Sequence, residues 1–154
     1  MSSRIQLASG AMFDLLNPDP SVITIEPGAS VLEAARQMNA HRIGALVVVR
    51  PGALGDQVAG MFTERDVLTR VVAQQRDPAA TVVGDVMTSP ALVCEPGTAL
   101  DDLRSLMRER RIRHVPVVER GVVVGMVSLG DLNAAVYEAT VQSLTVLEEF
   151  ISRS

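Results

Sequence analysis

The chain carries one string of motifs twice, in register, and that repeat limits what it can fold into more than any other feature. Glu26-Pro27-Gly28 returns as Glu95-Pro96-Gly97, Met38 as Met107, Arg42-Ile43 as Arg111-Ile112 and Val48-Val49 as Val117-Val118, all at one offset. The offset then shortens, because Arg50 to Asp56 spans more residues than Glu119 to Gly121. The match resumes with Gly60-Met61-Phe62-Thr63-Glu64-Arg65-Asp66 against Gly125-Met126-Val127-Ser128-Leu129-Gly130-Asp131. A length change confined to a Pro/Gly-rich stretch is what a hairpin turn tolerates, since lengthening a surface loop costs little. The two halves are therefore expected to share one fold and to pack on each other.

Each half reads as strand, helix, strand, strand, helix. The first strands, Val22 to Ile25 and Leu92 to Glu95, are stopped by Pro-Gly. Ser30 with Glu33, and Thr98 with Asp101 or Asp102, have the spacing of a capping box, in which a hydroxyl and a carboxylate satisfy free amides of a first helical turn. Val31, Leu32, Ala35 and Met38, and then Leu100, Leu103, Leu106 and Met107, recur at helical intervals and predict one apolar stripe per helix. Hairpins follow, Ala45 to Val49 with Val58 to Phe62 and Val115 to Val118 with Val122 to Val127, and their near-continuous apolar content predicts burial on both faces. Val67 to Ala73 and the segment from Leu132 onward supply the closing helices. The expectation is an α/β (α+β) fold of two β-α-β-β-α repeats, residues 14–80 and 81–138, related by a pseudo-two-fold. Small mixed sheets pack with helices. Residues 139–154 extend the last helix, whose stripe of Leu132, Val136, Ala139, Leu144, Leu147 and Ile151 predicts an end that packs on the module or on a second subunit.

Composition narrows the function. Apolar residues make up 47% of the 154, charged residues 21%, and the formal net charge is -4, so a globular chain with no general attraction to nucleic acid or an anionic membrane is expected. Every basic residue other than the two histidines is Arg, which removes P-loop, Schiff-base and lysine-base chemistry. Cys94 stands alone among apolar neighbours and reads as a small buried hydrophobe. His41 and His114 lie in different contexts without nearby cysteines, so no metal site is expected. No nucleophile elbow or acid–base pair is visible, and the Asp101-Asp102 and Glu148-Glu149 pairs read as solvated helix positions. No long apolar run marks a signal peptide or a membrane span; the expectation is a reduced, cytoplasmic, non-catalytic protein.

The strings ending in Asp66 and Asp131 are where ligand chemistry would sit. Thr63 ends a strand and Asp66 lies one turn into a helix, so the loop offers free amides, a hydroxyl and a partial positive dipole. A carboxylate placed there can also accept from vicinal hydroxyls such as those of a ribose. Spacing alone equally allows Thr63 and Ser128 to cap the closing helices while Asp66 and Asp131 complement their dipoles.

The pattern resembles the tandem CBS domain pair, or Bateman module. The residues that carry the resemblance are Asp85-Val86-Met87-Thr88-Ser89-Pro90, Arg42-Ile43-Gly44-Ala45-Leu46-Val47-Val48-Val49, Arg111-Ile112-Arg113-His114-Val115-Pro116-Val117-Val118, and the two Gly-Met-x-(Thr/Ser)-x-x-Asp strings. The resemblance implies a regulatory module that binds an adenine nucleotide, AMP, ADP or ATP, between the repeats, with the Asp on the ribose and the Thr or Ser on phosphate. It needs no cofactor for catalysis. By that analogy Thr63, Arg65 and Asp66 face Thr88, while Ser128 and Asp131 face an approach containing Asn17 in place of a threonine. Arg113 and His114 sit where basic phosphate contacts occur, and Ile43, Ile112 and Pro116 belong to the same ligand set. The first site then reads as the fuller one. The resemblance further implies a homodimer and a regulated partner protein. S-adenosylmethionine or NAD(H) as ligand, and a ligand-free structural dimerisation module, are the alternatives.

Overall fold

Residues 22–153 are described by a computed structural model of the chain. In chain order they form β1 (Thr24–Ile25), α1 (Val31–His41), β2 (Ala45–Gly52), β3 (Gly55–Thr63), α2 (Glu64–Asp66) continuing as a π-helical turn (Val67–Val72), α3 (Val83–Val86), α4 (Leu100–Arg110), β4 (His114–Glu119), β5 (Val122–Ser128) and α5 (Leu129–Ser152).

Local chemistry sets the element ends. Ser30 Oγ accepts from Glu33 N at 3.0 Å and starts α1. Its counterpart Thr98 does not cap α4: its Oγ1 accepts from Glu95 N, and Ala99 is the cap residue, without a side-chain bond. The Thr98 hydroxyl is spent on the Pro-Gly turn before the helix begins. Both helices stop the same way. Arg42 and Arg111 take left-handed φ of 53° and 54°, and Ile43 N and Ile112 N reach back to Met38 O and Met107 O, both at 3.0 Å. This is a Schellman ending with an apolar residue folded onto the helix, which explains why Arg-Ile recurs.

The hairpins share more than length. Register shifts between Val48 and Val49 and between Val117 and Val118 put a bulge at the same place in both repeats. The expected long turn at Arg50 to Asp56 is not a turn: Arg50 pairs with Gln57, Pro51 with Asp56 and Gly52 with Gly55, leaving only Ala53 and Leu54 at the tip. The additional residues lengthen the strands, and Gln57 then pairs with Val122 of β5. That pair joins the strands into one five-stranded sheet, β1-β2-β3-β5-β4, rather than separate small sheets. Gly55 sits at this seam with φ +136°, and a Cβ there would come within 2.8 Å of Val122 Cγ1, so only glycine fits.

Two expected elements are reduced. Leu92 to Glu95 is extended but pairs only as a parallel bridge from Cys94 to Val117. The first closing helix is wound wide, with Ala73 N bonded to Leu68 O and Arg76 N to Val71 O, five residues back.

The core follows from strand alternation. Leu46 and Val48 join Val31, Ala34, Met38, Phe62 and Val71 under the helices of the first repeat. Val115 and Val117 do the same with Leu100, Leu103, Met107, Val127 and Leu132 in the second. Ala45, Val47 and Val49 point the other way and pack with Met61, and Val58, Val123 and Met126 pack against them, forming the layer between the repeats. In α5, Leu132 and Ala135 are buried, whereas Tyr137, Val141, Leu144, Val146, Leu147, Phe150 and Ile151 are exposed. The stripe is thus buried only at its start. Among the described residues no helix is long and apolar enough to cross a membrane.

Phe62 is fully buried, so Phe62→Ala is expected to lower the unfolding free energy in urea by about 3–5 kcal/mol. Leu54→Ala, at the 84% exposed hairpin tip, is expected to stay within about 0.5 kcal/mol of wild type.

Candidate functional site

The Thr63-x-x-Asp66 string is a complete capping box. Thr63 N donates to Asp66 Oδ2 at 3.0 Å, Thr63 Oγ1 donates to the same oxygen at 3.2 Å, and Asp66 N donates back to Thr63 Oγ1 at 3.3 Å. Asp66 is 5% exposed, which is unusual for a carboxylate and requires partners on both oxygens. The second oxygen has them: Thr88 Oγ1 donates to Asp66 Oδ1 at 3.0 Å, and Arg70 Nε lies 3.6 Å from it.

Thr88 is held in place by its backbone. Thr88 N donates to Met61 O at 2.8 Å, and Met61 N donates to Thr88 O at 2.9 Å, so the segment entering the second repeat is stitched onto β3 of the first. Arg70 Nη1 holds the same segment by donating to Met87 O at 2.7 Å and Val86 O at 3.4 Å. Ser89 Oγ donates to Ala59 O, beside the bulge, at 2.9 Å. Gly60 lets the segment approach, since a Cβ there would lie 2.7 Å from Thr88 O and 2.9 Å from Met87 Sδ. Gly60 and Arg70 belong to this site by position; the repeat pointed to the glycine, and nothing in the sequence pointed to Arg70.

The second string is built alike and satisfied differently. Ser128 Oγ accepts from Asp131 N at 3.1 Å, which caps α5. The Asp131 carboxylate is exposed and has no hydrogen bond or ion pair among the described residues. His114 pairs directly with Ser128 across β4 and β5. Burial lowers the His114 pKa below the usual imidazole value and neighbouring Arg113 lowers it further, while Glu64 of the first repeat and Asp131 act to raise it. Glu64 at the start of α2 and Asp131 in the first turn of α5 thus act on the same imidazole. Glu64 rests over Gly44, where a Cβ would come within 3.1 Å of its carboxylate carbon.

Thr63, Asp66 and Thr88 are thus brought together as expected, but bonded to one another. Arg65 and Arg113 are exposed beside the two strings; Pro116 is buried; Ile43 and Ile112 are half-buried against the cores of their own repeats. Asn17 and its neighbouring approach lie outside the described residues. Cys94 is buried, which pushes its thiol up to about 11 and keeps it protonated at neutral pH. Among the described residues no group of three or more His, Cys, Asp or Glu is placed to hold a metal ion.

The sequence model of the CBS domain matches residues 13–73 and 83–138. Over 124 residues the chain is 39% identical to the CBS domain-containing protein CBSX3, mitochondrial, of Arabidopsis thaliana, covering 79% of this chain and 60% of that protein. It is 40% identical over 111 residues to the CBS domain-containing protein YhcV of Bacillus subtilis, covering 72% of this chain and 76% of that one. The crystal structure of a CBS-domain containing protein from Agrobacterium tumefaciens superposes with a TM-score of 0.68 at 39% identity, covering 79% of this chain and 95% of that chain. The chain therefore spans about three fifths of the Arabidopsis relative and most of the other two.

The unequal use of the two carboxylates makes a direct stability prediction. Asp66→Ala removes the cap reciprocity and strands the Thr63 amide, and is expected to cost about 2 kcal/mol or more in urea unfolding. Asp131→Ala leaves the Ser128 cap intact and is expected to cost less than about 1 kcal/mol.

Proposed function

The chain belongs to the CBS domain family, and from that premise we propose that it is a regulatory, non-catalytic module that binds an adenine nucleotide between its two repeats. Binding of AMP, ADP or ATP shifts a conformational equilibrium that a partner protein reads. The observation that carries this reading is the hydroxyl and carboxylate placed together at two helix starts, one from each repeat. The helix dipole suits phosphate and the carboxylate suits ribose hydroxyls, although the expected free amides are largely used, Glu64 N by Gly44 O and Leu129 N by Arg113 O.

In this reading Thr63, Arg65, Asp66 and Thr88 border one pocket, Ser128, Asp131, Arg113 and His114 border the other with Asn17 on its approach, and Ile43, Ile112 and Pro116 supply apolar walls. No cofactor or metal is required, and the compartment is the cytoplasm. The protein acts as a homodimer, with the apolar end of α5 covered by a second copy, because an exposed run from Tyr137 to Ile151 is larger than a solvated helix needs. A second reading, a structural dimerisation module whose clefts stay empty, draws on the Asp66 carboxylate being satisfied internally.

A thermal-shift panel of adenosine, AMP, ADP, ATP, NAD(H) and S-adenosylmethionine on wild type and on Asp66→Ala with Asp131→Ala separates these. A nucleotide at about 100 times its dissociation constant is expected to add roughly 2.7 kcal/mol, an effect lost in the double variant. No stabilisation by any compound at millimolar concentration supports the structural module.

The His114 environment adds a pH signature. Burial holds the imidazole pKa low in the free protein, and a phosphate docked beside it favours the protonated form, so its pKa rises on binding. Affinity for AMP, but not for adenosine, is expected to increase as pH falls from about 8 to about 6. His114→Gln is expected to flatten that dependence in calorimetric titrations; an unchanged slope removes His114 from the phosphate contacts.

A further inference from the structure

The exposed end of α5 is a separate apolar face, not a continuation of the buried one. Leu132 and Ala135 are buried, Leu132 in the core with Leu100, Leu103 and Met107 of α4. Tyr137, Leu144, Leu147 and Ile151 are all more than half exposed, and at 3.6 residues per turn they lie roughly a third of a turn round the helix from that buried pair. With Thr140 between them they recur at intervals of three, four, three and four, the alternation of a coiled-coil seam. Thr140 brings no unpaired hydroxyl into this row, because its Oγ1 donates to Val136 O at 2.9 Å. The seam also runs past the core: α5 has 24 residues against 11 in α4, about 36 Å against about 16 Å, and the side chains from Thr140 to Arg153 are all exposed. A helical end of this length is marginal in water without a partner for its apolar face.

Resting on the homodimer reading above, we infer that the α5 ends of two copies pair with each other, antiparallel and seam to seam, with Leu144 of one copy against Leu147 of the other. The copies are then joined by a two-helix stalk that lies outside their modules. Charge selects the direction. Between Leu129 and Ser152 the helix carries Asp131, Glu138, Glu148 and Glu149 and neither Lys nor Arg. A parallel pair sets Glu148 and Glu149 level with the same residues of the other copy, with nothing basic to offset them. The antiparallel pair sets Glu148 level with Ser143, Glu149 with Gln142 and Glu138 with Arg153, so no two acids share a level, and it brings Thr140 opposite Ile151.

Analytical ultracentrifugation of the full chain tests this. Wild type is expected to sediment as a dimer, and Leu144→Glu with Leu147→Glu as a monomer, its dissociation constant raised at least about a hundredfold. Neither residue belongs to the core, so the variant is expected to keep a cooperative unfolding transition; Leu144→Ala with Leu147→Ala repeats the test should it not. Direction is read by oxidative cross-linking, with which the buried Cys94 does not interfere. Thr140→Cys with Ile151→Cys is expected to cross-link two copies, and Ile151→Cys alone is not. A monomeric wild type overturns the homodimer reading and this inference with it. A dimer that survives the Leu144 and Leu147 variants, or that is lost instead on Leu68→Ser with Val72→Ser at another exposed apolar pair, overturns the inference alone. So does an efficient cross-link through Ile151→Cys by itself, or none in the paired cysteine variant.

Discussion

The structure depends on one constraint: the second strand of the first repeat is buried on both faces. Residues 45–49 are all buried, with Leu46 and Val48 under α1 and Ala45, Val47 and Val49 in the layer between the repeats. Each fully buried Val or Leu contributes about 1.5–3 kcal/mol of transfer free energy, so neither repeat retains its full stability with the other removed. The single Gln57–Val122 pair is a small addition to that layer; its effect is to fix the register in which the hairpins meet. With the hairpins fixed, the ends of β3 and β5 are fixed, and so are the two helix starts that carry Asp66 and Asp131.

The site's asymmetry grows from the same packing. The connection between repeats crosses β3 at Met61, where Gly60 allows backbone contact, and this crossing is what places Thr88 over Asp66. A buried carboxylate without partners would be costly, so the crossing and the carboxylate stabilise each other. Among the described residues nothing repeats that arrangement at Asp131; the approach that contains Asn17 lies outside them.

Much of the fold was legible because helical and strand periodicities are local. The helices α1 and α4, the two hairpins, the Ser30 cap and the long α5 all follow from spacing, although α1 buries Ala34 where Ala35 was expected. The misses have specific physical reasons. Thr98 bonds backward to Glu95 instead of forward, a choice between two nearby amides that composition does not decide. Residues 50–52 and 55–56 continue the strands, leaving a two-residue tip, and Gln57 pairs with Val122 in the other repeat, a contact far away in sequence. That Thr63, Asp66 and Thr88 form one cluster was legible in the sequence. Its state was not, because whether a carboxylate is free or satisfied depends on a partner 22 residues away and on Arg70, whose role rests on an ion pair no motif marks.

Whether the repeats close around a nucleotide at the two helix starts is settled most directly by amide chemical-shift mapping of the labelled chain during addition of AMP. The largest changes are expected at Thr63 to Asp66, Thr88, Ser128 to Asp131 and His114, with little change at the α5 end. Changes confined to other surfaces, or none at saturating AMP, would contradict it.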